Sequence, residues 1–229
     1  EATLSANIFE RLKDIPLVDK YEAYQLLDDD WTKIAVDLEI IQTEGFEATK
    51  RVDPNMVIKK KDGKEQEVQE GWVGRIIPFD LIQDTLLADD RAALKTKENR
   101  LSEIASEYEE LFDSLTEEEK EGDYASEDGF VNAEIKKALK SDSVEPETKE
   151  KLRKVAALAT EEKELKAAIK KDAGLLEGKT KETVESLSDE QVIDLLKDKW
   201  ITPLIQSLMK LPDSIVNELV SKLEALTKK

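Results

Sequence analysis

Two stretches of this chain, residues 91–119 and 147–177, repeat their apolar residues every seven positions. In the first, Leu94, Leu101, Tyr108 and Leu115 recur at that interval, with Ile104 and Leu111 between them. In the second, Val155, Ile169 and Leu176 alternate with Leu158 and Leu165. Steps of three and four residues line side chains along one seam of an α-helix, as in a coiled coil. Such a seam is unfavourable in water and calls for a partner helix. The break between the runs contains Gly122 and Gly129, which let the chain reverse. The expectation is an antiparallel helical hairpin with arms about 43 Å long at 1.5 Å per residue. Lys97, Glu162 and Asp172 interrupt the seams. Two roles stay open: an internal structural arm, or a lever whose Leu94, Leu101, Tyr108, Leu158 and Leu165 grip the helices of a partner.

Composition narrows the classes. With 38% charged and only 5% aromatic residues, the chain resembles long-helix proteins more than sheet-rich ones. It contains neither Cys nor His. Thiol chemistry, His-dependent triads and ordinary zinc sites are therefore excluded, and the lack of Cys fits a reducing, cytoplasmic compartment. No apolar run reaches the roughly 18 residues of a membrane span. A net charge of −18 argues against a surface that lies broadly on phosphates. The charge is uneven: residues 98–128 hold thirteen acids against Arg100 and Lys120, whereas 50–64 hold Lys50, Arg51, Lys59, Lys60, Lys61 and Lys64.

Read in order, the chain is mainly α: a helical bundle with the long antiparallel coiled-coil hairpin and one small β-hairpin. Three regions are expected: a helical body over 1–90, the arm over 91–178 with an acidic break at 120–145, and C-terminal helices over 179–229. Residues 6–13 read as a short amphipathic turn or helix (Ile8, Phe9, Leu12) that stops before Pro16. A strong helix follows from about 18 to 43, with Tyr24, Trp31 and Leu38 and also Leu27, Ile34 and Ile41 on its core side, ended by Gly45. The β-hairpin spans about 47–77 around Asp62-Gly63, a pair suited to a type I′ turn, with Trp72 and Ile76 on one face. Thr116 with Glu119, and Ser188 with Gln191, have the spacing of capping boxes. Residues 121–129 read as a mobile acidic loop, 130–140 as a short helix, and Pro146 as a first-turn proline opening the second arm. Thr202-Pro203 opens a helix to 210, and Pro212 restarts the chain into 213–227, with Ile215, Leu219, Leu223 and Leu226 in one stripe.

No catalytic, cofactor-binding or metal-ligating residue emerges. Asp28-Asp29-Asp30 fan out by about 100° each on a helix and cannot converge on one ion. Gly71-Trp72-Val73-Gly74 opens no helix and does not suit a cofactor loop. Lys59, Lys60, Lys61 and Lys64 at the hairpin tip could touch a DNA backbone or merely keep an exposed strand soluble.

Several strings carry a family resemblance. They are Ile15-Pro16-Leu17-Val18-Asp19-Lys20-Tyr21 with Tyr24-Gln25-Leu26-Leu27-Asp28-Asp29, and Ile41-Gln42-Thr43-Glu44-Gly45-Phe46-Glu47-Ala48-Thr49 continuing through Val52-Asp53-Pro54-Asn55-Met56 to Lys61. Gly71-Trp72-Val73-Gly74 with Ile77-Pro78-Phe79, Glu98-Asn99-Arg100-Leu101-Ser102-Glu103-Ile104 and Lys199-Trp200-Ile201-Thr202-Pro203-Leu204 complete the set. Together they resemble the C-terminal region of the M (modification) subunit of type I restriction-modification systems, over nearly the whole chain except 121–145. The resemblance implies a piece of an adenine-N6 DNA methyltransferase that uses S-adenosylmethionine. It also implies a specificity (S) subunit and a restriction (R) subunit as partners, with DNA reached through the complex and no membrane. The family's Gly-rich cofactor motif and Asn-Pro-Pro-aromatic motif are absent, so no catalytic residue and no cofactor transfers to this chain. Its start at Glu1 rather than Met agrees with a fragment. The expected role is docking to the specificity subunit and DNA clamping. The alternative is a free-standing helical scaffold or adaptor module with no link to methylation.

Overall fold

The structure is a computed structural model and describes residues 2–11, 19–61, 63–126, 129–141 and 144–227. Leu12, Pro16 and Asp62 lie outside them, as do the side chains of Ile8, Phe9, Lys61 and Ile215. The chain divides into two compact units, unit one from 1–85 with 180–229 and unit two from 86–179. The segments expected as separate first and last regions thus belong to one unit, and the arm occupies the other.

Unit one begins with α1 (Ala2–Arg11) and α2 (Lys20–Glu44). The Asp19 side chain accepts the Tyr21 N–H at 2.7 Å and starts α2, and Gly45, at φ 86, ends it. A 3-10 turn (Phe46–Lys50) leads into β1 (Val52–Lys61) and β2 (Lys64–Gly74), an antiparallel ribbon closed between Lys61 and Lys64. Gly63 in that turn has φ 76, the positive value that made Asp62-Gly63 readable as a hairpin. The register slips between Pro54 and Met56, a bulge that twists the ribbon. Ile76 lies beyond the end of β2, so it does not share a strand face with Trp72 as alternation suggested; it is buried where the chain turns toward α3 (Phe79–Thr85). That turn requires Gly74: a Cβ there would stand 1.9 Å from the Ile77 carbonyl oxygen.

The rest of unit one is the last turn and a half of α7 (Pro146–Glu185), then α8 (Asp189–Trp200) and α9 (Thr202–Thr227). The Ser188/Gln191 capping box forms in full. α9 packs on α2 and α8, and α3 packs on α8. Leu27, Ile34, Ile77, Ile82, Val184, Val192 and Leu195 make the buried core. The core line of α2 is narrower than the aromatic stripe suggested. Tyr24, Trp31 and Ile41 are half-buried and Leu38 is exposed, while Ala23 and the charged Asp37 lie inside. Pro212 does not restart a helix: α9 runs through it without interruption. A proline there forgoes one backbone hydrogen bond, a cost of about 3 kcal/mol in a helix interior that flanking apolar turns must offset.

Unit two holds α4 (Ala88–Asp113) and the long first part of α7. Ion pairs fix their direction: Asp90 bonds Lys179 at 2.7 Å, Lys97 bonds Asp172, Arg100 bonds Glu161 at 2.7 Å, and the Lys151 ammonium donates to the Ser114 carbonyl at 2.9 Å. Numbers rising on α4 meet numbers falling on α7, so the hairpin is antiparallel. Lys97 and Asp172, which interrupt the two seams in sequence, answer one another across them. Between the helices lie α5 (Glu117–Lys120), a two-residue pairing of β3 (Ala125–Ser126) with β4 (Gly129–Phe130), and α6 (Asn132–Ala138). The acidic segment is therefore not a plain loop, and the ribbon is not the chain's sole sheet. Tyr124 and Ile135 join Leu152 and Val155 in a buried cluster, with Tyr108, Leu111 and Phe130 packed against it. Among the described residues no helix is long and apolar enough to cross a membrane.

Candidate docking surface

α9 leaves a long stretch of apolar surface in water. Met209, Val216, Leu219, Leu223 and Leu226 are exposed, Met209 by 73% and Leu226 by 70%. With Pro212 they are spaced three and four apart without a break, the a/d interval of a coiled-coil seam. Val220 widens the seam on one side. Helices of this kind bury their stripe against another helix or in a groove between two. The stripe expected from sequence, Ile215, Leu219, Leu223 and Leu226, starts only after Pro212, whereas the exposed seam takes in Val216 and, before the proline, Met209. The signal that could have found them is the heptad phase, which runs through the proline unchanged.

Three contacts pin the base of α9. Asp37, 8% exposed on α2, accepts a hydrogen bond from the Trp200 indole N–H at 2.8 Å and pairs with the Lys199 ammonium. Lys199 also donates to the Ile76 carbonyl at 2.6 Å. A half-buried cation, a carboxylate and an indole thus tie α2, the β2–α3 turn and the end of α8 together. Each satisfies the others, which is the condition for a charge pair of this burial to be tolerated. Nothing in the local sequence marks Asp37 as a core residue.

The residues expected to grip a partner sit mainly on the inner seam of unit two. Leu158 is buried, Tyr108 packs on the Tyr124–Ile135 cluster, and Leu94, Leu101 and Leu165 are half-buried. Burial, with Glu162 beside it, pushes the Tyr108 phenol up to about 12. Arg100 knits the helices further, reaching Glu107 and Glu161, and its pKa rises for that reason.

The ribbon's lysines are balanced. Lys59 pairs with Glu70, Lys60 stands opposite Glu65, and Glu67 faces Ile58. Lys60 and Lys64 are exposed. Acids match the lysines along the ribbon, so the basic tip visible in sequence brings no excess of positive charge once the strands pair. Trp72 has the Lys181 ammonium 3.4 Å from its ring centroid, which attaches the ribbon's base to the end of α7.

S-adenosylmethionine sits at a Gly-rich turn between a buried strand and a helix N-terminus. Both long strands belong to an exposed two-stranded ribbon, and neither feeds a Gly-rich turn at a helix N-terminus, the arrangement such a cofactor needs. Among the described residues no group of Asp and Glu is placed to hold a metal ion. Comparison of the chain with protein-family models, with curated proteins and with solved structures returned no match.

Proposed function

We propose that this chain is the C-terminal docking piece of the modification subunit of a type I restriction-modification methyltransferase. In this reading it is catalytically silent, works in the cytoplasm and joins the methylating part to a specificity subunit. Adenine-N6 methylation with S-adenosylmethionine then belongs to the assembled enzyme, to which a restriction subunit adds cleavage. The observation that carries the docking role is the α9 seam, an a/d stripe at coiled-coil spacing that stands exposed. The strings behind the resemblance support it, since they coincide with structural pins: Gly74 and Ile77 at the close backbone approach, and Lys199 and Trp200 on Asp37.

The test is co-elution with the specificity subunit encoded beside it. The chain is expected to co-elute, and the double variant Leu219→Asp/Leu223→Asp to lose at least tenfold in affinity with unchanged circular dichroism. Equal binding by that variant, or no binding by the unaltered chain, would refute the docking role. The coding sequence preceding Glu1 offers a second check: it must contain the Gly-rich and Asn-Pro-Pro-aromatic motifs, and their absence there would refute the family assignment.

A further inference from the structure

Unit two has a cavity of about 450 Å³ where the C-terminal end of α4 meets β4 and α6. Its walls are the rings of Tyr108, Phe112 and Phe130, with Glu109, Asp113 and Asn132 beside them. Phe112 and Phe130 pack edge to face at 5.4 Å and 87°. The volume lies within the range of ligand-binding clefts.

Three physical features of this corner favour positive charge. Aromatic rings attract cations through their quadrupoles. Phe112 already does so on the chain's own account, with the Lys120 ammonium 5.4 Å from its centroid, although Lys120 is not among the residues lining the cavity. Glu109 and Asp113, four apart on α4, present two exposed carboxylates on one helix face, and neither forms an ion pair among the described residues. The cavity also sits at the negative end of the α4 dipole. The wider field has the same sign: residues 98–128 hold thirteen acids, while Arg100 is engaged by Glu103, Glu107 and Glu161 and Lys120 by Glu117.

We propose that this cavity receives an arginine side chain of a basic partner segment, seated among the Tyr108, Phe112 and Phe130 rings and held by Glu109 and Asp113. The site belongs to unit two and the α9 seam to unit one, and it does not depend on the methyltransferase reading.

The test is calorimetric titration of the full chain at low salt. The probes are a blocked peptide alternating glycine with arginine, and its neutral counterpart with citrulline in place of arginine. The arginine peptide is expected to bind and the citrulline peptide to fail. Glu109→Gln/Asp113→Asn should weaken binding by about tenfold through loss of both charge-assisted contacts, and Phe112→Leu by about threefold through loss of the ring. The control Glu98→Gln/Glu121→Gln, which removes the same charge from exposed positions outside the cavity, should change affinity by less than about twofold. Equal loss in that control would mean that the acidic field alone attracts the peptide, and would overturn the proposal. So would binding of the citrulline peptide, or no binding of the arginine peptide.

Discussion

Glu119 shows how much one side chain can join. Its carboxylate accepts the Thr116 backbone N–H at 2.8 Å, closing the capping box of α5, and the Thr148 hydroxyl at 2.6 Å and the Lys151 ammonium at 2.9 Å from α7. Burial alone would raise its pKa, but these donors outweigh burial and hold the carboxyl at about 2, against the usual 4.5. A depressed pKa contributes stability above the unfolded value, and that stability is lost as pH falls from about 4.5 through about 2. Discounted for the remaining solvent contact, the contribution is about 2 kcal/mol. Glu119→Gln keeps the cap geometry and removes the charge. At neutral pH it should lower stability by about that amount. It should also show a shallower acid loss than the unaltered chain below pH 4.5, as read by urea melts across that range. Parallel acid profiles would contradict this account.

At the scale of elements, spacing decides what a helix can do and pairing decides what it does. α4 and α7 fill their seam with each other, even at Lys97 and Asp172, whereas the seam of α9 stays open. The ribbon is the converse case, in which pairing cancels a feature of the sequence. In the proposed methyltransferase assembly, Lys59→Glu/Lys60→Glu/Lys64→Glu is expected to leave the salt dependence of DNA binding unchanged, because acids on the facing strand already balance these lysines. A log–log slope reduced by about 0.9 for each phosphate no longer neutralised would instead place the ribbon on DNA.

For the whole molecule, unit two is an insertion whose flanking residues in unit one lie close together: the Gln83 side chain donates to the Thr180 hydroxyl at 3.2 Å. Insertions of this kind can be removed when their ends are near. Replacing 86–179 with a short Gly-Ser linker should leave unit one folded. All three tryptophans, Trp31, Trp72 and Trp200, belong to unit one, so their fluorescence reports it directly. An unchanged emission maximum and a cooperative melt are expected, and a red-shifted emission without a transition would refute the independence of unit one.

The sequence by itself determined the helical class, the arm, the ribbon's turn and the helix starts at Pro146 and Ser188. Each follows from rules that act within a few residues: a 3.6-residue period, a positive φ, a side chain reaching a nearby N–H. Tertiary structure alone decided that Asp37 lies inside, 162 positions from the lysine that neutralises it. It also decided that 1–85 and 180–229 form one unit, that Tyr124 in the acidic segment is core, and that α9 continues through Pro212. Those outcomes depend on which surfaces meet across long stretches of chain. A buried charge or a helix-interior proline is tolerated only where distant packing offsets its local cost, and no window of the sequence shows that packing.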